Sequence, residues 1–102
     1  MKLVIPERAQ RAIEEADAWW RENRRDAPNL FADELMTALN EVRTQPEVPR
    51  AYRKTRKGIV RRVLMPKTRR HVYYLYRRAE QGVVIVTVWG AVRGKKPNLT
   101  LE

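Results

Sequence analysis

Three β-rich segments crowd the second half of the chain, Ile59 to Met65, His71 to Arg77 and Val83 to Trp89, with five residues in each of the two links between them. A parallel crossover needs about a dozen residues or more, so links of hairpin length force these segments to run antiparallel. A three-stranded meander follows. Its last member, Val83-Val84-Ile85-Val86-Thr87-Val88-Trp89, is almost continuously apolar and belongs inside the sheet, under a covering layer on one face. The brief run Leu3-Val4-Ile5, ended by Pro6, supplies a fourth strand.

The covering layer is helical. Pro6 suits a helix start because the N–H it lacks would be unpaired there. Ala9, Ala12, Ile13, Ala16 and Trp20 form one apolar stripe, with Glu14, Glu15 and Asp17 on the other side. Basic residues near Asn23 to Arg25 suit the C-terminal end of this helix, and Asp26-Ala27-Pro28 restarts a second one with Asp26 as its N-cap. Phe31, Leu35, Ala38, Leu39 and Val42 repeat at helical spacing, so residues 7 to 44 read as a helical hairpin. Gln45-Pro46-Glu47-Val48-Pro49 ends it, and Arg50 to Gly58 has no usable periodicity and reads as a flexible basic loop. The expected architecture is α+β, in the order β-α-α-β-β-β, with the helical hairpin packed on one face of a mostly antiparallel sheet. A chain of 102 residues supports one core, so residues 1–102 are expected to form a single domain, with 94–102 as a flexible tail.

The absence of Cys excludes disulfides, zinc ribbons, iron–sulfur clusters and thiol catalysis. One His without clustered carboxylates makes no metal set, the four Gly are isolated and form no phosphate loop, and no cofactor is expected. The uncharged run from Gly82 to Val92 falls far short of the roughly 20 apolar residues of a membrane helix. Charge and Pro interrupt the first residues before a signal peptide could form, so a cytoplasmic protein with no membrane partner is expected.

Charge is divided between the two halves. Residues 1–48 hold 7 Lys/Arg against 10 Asp/Glu, a net of −3, whereas residues 49–102 hold 15 against 2, a net of +13. A solubilising coat does not require the near absence of acids over such a length, so the basic half is read as a surface for nucleic acid or an acidic protein. Alternation places Arg61 and Arg62 on opposite faces of their strand, and sets Val72, Tyr74 and Tyr76 against His71, Tyr73 and Leu75. Two helices cover one face only, which leaves Tyr rings and Arg side chains together on the other. His71 is either a solvent-facing residue at a strand start or a general acid/base among Arg69, Arg70 and Tyr73. Trp19 and Trp20 point about 100° apart on their helix, so Trp20 is assigned to the core and Trp19 to a core edge or an interface. Trp89 is read as structural.

The order of strand, helical hairpin, basic loop and three strands is carried by Gly58-Ile59-Val60-Arg61-Arg62-Val63-Leu64-Met65-Pro66, His71-Val72-Tyr73-Tyr74-Leu75-Tyr76 and Val83-Val84-Ile85-Val86-Thr87-Val88-Trp89-Gly90-Ala91-Val92-Arg93. Over nearly the whole chain it resembles the RelE/ParE toxin superfamily of type II toxin–antitoxin modules. The resemblance implies a small cytoplasmic toxin held inactive by a cognate antitoxin whose acidic or amphipathic segment wraps the basic surface. It also implies one of two activities. RelE-like members cut messenger RNA in the ribosome, commonly with a His or Tyr near the end of the last strand or in the tail, whereas ParE-like members poison DNA gyrase and lack that set. Here Gly90 stands where the family frequently has His, and residues 94–102 contain neither His nor Tyr.

That departure favours the ParE-like reading, inhibition of gyrase by binding rather than catalysis. Arg61 or Arg62 matches the family's second-strand Arg and Arg93 its Arg after the last strand. The expected target-binding patch is therefore Arg61, Arg62, Arg93, Lys95 and Lys96, with the antitoxin on Trp19, Tyr74 and Tyr76. The alternative is a metal-independent, ribosome-dependent mRNA endonuclease in which Arg61, Arg62 and Arg93 act with His71 or a Tyr. A nucleic-acid-binding module without a toxic role is the third reading.

Overall fold

In the computed structural model, which describes residues 1–90 and 97–99, the chain runs through β1 (Lys2–Val4), α1 (Glu7–Asn23), α2 (Leu30–Thr44), β2 (Ala51–Thr55), β3 (Gly58–Met65), β4 (Arg70–Arg77) and β5 (Gly82–Gly90). A short 3-10 turn, Arg78–Glu80, joins the last two strands. The sheet order is β1-β5-β4-β3-β2, with β1 parallel to β5 and every other pair antiparallel. The expected α+β architecture is present, with one strand more than the sequence suggested. β5 lies inside the sheet, between β1 and β4, as its apolar run requires.

The extra strand corrects the expectation of a flexible loop over Arg50 to Gly58. Residues Ala51–Thr55 pair antiparallel with β3, and an irregularity between Ala51 and Arg53 places Tyr52 out of regular alternation. A bulge of this kind erases the period-two signal, which is why the segment looked structureless. Gly58 closes the two-residue turn at φ 130°, a conformation that side chains with a Cβ rarely adopt.

The helices cover one face. Ala9 and Trp20 of α1, with Phe31, Leu35, Ala38 and Val42 of α2, pack on Met65, Val72, Tyr74, Val83, Ile85 and Val88. Each of those sheet residues lies on the face that alternation assigns, once the irregularity in the β4–β5 pairing between Tyr73 and Tyr74 is allowed for. Trp20 also donates its indole N–H to the Ala27 carbonyl at 2.8 Å, pinning the turn between the helices. That turn differs from expectation, because α2 starts at Leu30 after Asn29, and Asp26 does not cap it. Pro28 precedes the helix by two residues, and the first intrahelical bond is from the Asp33 N–H to the Asn29 carbonyl at 2.9 Å.

The link from α2 to β2 is fastened from the sheet side. The buried Tyr74 hydroxyl donates to the Pro46 carbonyl at 2.6 Å, and Arg61 donates to the Pro49 and Glu47 carbonyls at 2.9 and 3.3 Å. No helix among the described residues is long and apolar enough to cross a membrane.

Candidate recognition face

The face of the sheet turned away from the helices carries a second apolar cluster. Val60, Tyr73, Leu75 and Val86 are buried there, and Tyr52, Val84, Trp89 and Leu99 pack against them. Leu99, part-buried, therefore contributes to the cover of this face, and Pro97 close by in sequence is buried. At the β2–β3–β4 side, the cover gives way to a group of guanidinium and aromatic side chains.

Arg62 reaches this face because it lies two residues after Val60 on β3. Its guanidinium carbon sits 4.7 Å from the centre of the Tyr52 ring, and Arg53 approaches the same ring at 5.2 Å. Tyr52 meets Tyr73 edge-on at 5.0 Å, and His71 meets Tyr73 at 5.8 Å. A 3.5 Å contact from Arg62 to the Tyr73 hydroxyl closes the group. Burial lowers the His71 pKa from its ordinary 6.5, and the Arg62 charge lowers it further, so the imidazole is neutral at pH 7. Its Nδ1 is buried and has no hydrogen-bond partner among the described residues.

The expected site residues divide sharply. Arg62 and His71 come together on this face, and Tyr73 joins them. Arg61 does not, because the opposite parity sends it to the α2–β2 link, where two backbone carbonyls hold it. Tyr74 is a correction as an antitoxin contact, since it is fully buried in the helix-side core and its hydroxyl is committed to Pro46. Burial raises its pKa to about 12 against a smaller opposing pull from Arg61. Tyr76 packs half-buried against that same core. Arg93, Lys95 and Lys96 lie outside the described residues. Tyr52 and Arg53, which the sequence reading passed over, are the residues that complete the group. The available signal was a lone aromatic inside a basic stretch just before a hairpin glycine.

Trp19 belongs to a different place. It is 46 % exposed and lines a groove of about 720 Å³ between α1 and the β3–β4 turn, with Trp20, Trp89 and the cations Arg24, Lys67, Arg69 and Arg70. The Arg24 and Arg70 guanidiniums lie 5.8 and 5.3 Å from the Trp19 ring centre. Among the described residues, one acid, Glu15, lines the groove.

Compared with family models, with curated proteins and with solved structures, the chain has no match. The chemistry of the two surfaces therefore rests on their geometry. Among the described residues, no three His, Cys, Asp or Glu side chains converge as a metal site would require. The first surface offers a fixed guanidinium beside packed aromatic rings, and the second an indole flanked by cations.

Proposed function

We propose that the chain is the toxin of a type II toxin–antitoxin module of the RelE/ParE kind, acting in the cytoplasm by binding and inhibiting DNA gyrase and neutralised by a cognate antitoxin. The observation that carries the binding reading is that the aromatic groups beside Arg62 are engaged in packing. Tyr73 is 2 % exposed, and its ring is held edge-on by Tyr52 and His71. A phenol so enclosed cannot reach a scissile phosphate, whereas the guanidiniums above Tyr52 remain able to grip an acidic partner.

The antitoxin reading draws its support from the Trp19 groove, where an apolar floor and a basic rim match an acidic amphipathic segment. Neutral His71 beside Arg62 favours the second reading, ribosome-dependent mRNA cleavage, because an unprotonated imidazole can accept a proton while a guanidinium stabilises the phosphorane. Purified toxin tested in parallel on gyrase supercoiling and on ribosome-bound mRNA separates the two. The expected result is loss of supercoiling activity, relieved at least tenfold by Arg62→Ala and unchanged by His71→Gln. Codon-specific mRNA cleavage abolished by His71→Gln selects the nuclease instead.

A further inference from the structure

The sheet ends in a basic ribbon of which the proposed function uses only Arg53. Arg50, Arg53, Lys54, Arg56 and Lys57 fall within eight residues that contain no acid, and all five are exposed. None forms an ion pair with a described residue, and Glu47, the nearest acid in sequence, is already engaged with Arg78 at 3.4 Å. These cations sit on a fixed scaffold. β2 is laddered to β3, Arg62 N–H donates to the Arg50 carbonyl at 3.2 Å, and Thr55 ties the turn by donating to the Gly58 carbonyl at 2.8 Å and accepting from the Lys57 N–H at 3.2 Å.

We propose that the β2–β3 hairpin is a docking element for duplex DNA, entering the major groove tip first with Arg56 and Lys57 and gripping phosphates with Arg50, Arg53 and Lys54. A two-stranded ribbon is of a size the B-form major groove admits, whereas the deep, narrow major groove of duplex RNA excludes it. Single strands are bound by stacking bases on free aromatic faces. The one ring on β2, Tyr52, is instead covered by the Arg53 and Arg62 guanidiniums and the edge of Tyr73. β2 is also the outermost strand, so its outward N–H groups are placed to donate to phosphate oxygens. Protection of a sheet edge needs a charge or two, and five clustered cations without a counter-ion among the described residues exceed that need. The proposal does not rest on the gyrase reading.

Fluorescence anisotropy of the full chain with a short random-sequence DNA duplex, over about 50 to 200 mM salt, tests it. Lys54→Ala/Arg56→Ala/Lys57→Ala is compared with Arg11→Ala/Arg25→Ala/Arg43→Ala, which removes equal charge from the two helices and the turn between them. The expected result is at least tenfold weaker binding for the hairpin variant, with the log–log salt slope reduced by about 3, and little change for the helical variant. Equal losses in both variants, or none in the hairpin variant, overturn the proposal. Competition by duplex RNA, single-stranded DNA or polyglutamate as effective as by duplex DNA also overturns it. Because no gyrase is present, failure here leaves supercoiling inhibition untouched, and the reverse holds.

Discussion

Glu34 shows how one side chain can hold a turn that its own neighbourhood gives no hint of. Its carboxylate accepts from the Lys67 N–H at 2.7 Å, and from the Thr68 N–H and hydroxyl at 2.9 and 2.7 Å, so a residue of α2 organises the β3–β4 turn from 33 positions away. Glu34→Ala strands those donors and is expected to cost about 2–3 kcal/mol, a fall of roughly 10 °C in Tm by thermal unfolding. Tyr74→Phe leaves the Pro46 carbonyl without its donor and is expected to cost about 1–2 kcal/mol in the same measurement. His71 sets a pH dependence whose sign follows from its lowered pKa. The unfolded chain takes up a proton near the ordinary value of 6.5 and the folded chain only at lower pH, so stability falls as pH drops through 6.5. Denaturant unfolding from pH 7.5 down to about 5 should show that slope, and His71→Gln should flatten it.

At the scale of elements, the hairpin of β2 and β3 is the part that depends most on one backbone conformation. Gly58 holds φ 130°, and although an added Cβ would meet only Leu75 Cδ2 at 3.5 Å, the dihedral itself is unfavourable for any other residue. Gly58→Ala is expected to destabilise by about 1–3 kcal/mol in chemical denaturation. Gly82 is the contrast, for its Cβ would meet the Lys2 and Glu80 carbonyls at 3.7 and 3.8 Å without a left-handed φ, and Gly82→Ala should stay within about 0.5 kcal/mol. Glycine is not the sole residue to hold a left-handed backbone here, for Arg69 and Gln81 take that conformation beside β4 and β5. The β3–β4 turn is instead fixed by Glu34 and by the Arg69 N–H donating to the Met65 carbonyl at 2.9 Å. Turn chemistry in this chain is set by tertiary partners as much as by residue type.

For the whole molecule, acidic helices back a sheet whose cations gather at the β2 edge, around Arg62 and along the rim of the Trp19 groove. Removing the Trp19 indole opens no core cavity, because the side chain is nearly half exposed. Trp19→Ala should therefore weaken the complex with a co-expressed acidic neighbour at least tenfold in pull-down titration while lowering Tm by only a few degrees, and the matching growth assay should show toxicity that the neighbour no longer suppresses. An unchanged complex would overturn the groove as the proposed antitoxin site.

The meander, the inner position of β5, the helical stripes and the opposite faces of Arg61 and Arg62 were legible from residue order, because short links and side-chain periodicity act within a few neighbours and leave their mark there. Tertiary structure decided the rest. It recruited Ala51–Thr55 as an edge strand on the unpaired backbone of β3, gathered Tyr52, Arg53, Arg62, His71 and Tyr73 from three strands, and took Tyr74 into the core. The edge strand carries a bulge that breaks alternation, and although alternation sets Tyr74 opposite His71 and Tyr73, only contacts between distant segments decide which face the helices cover and which side chains meet on the other.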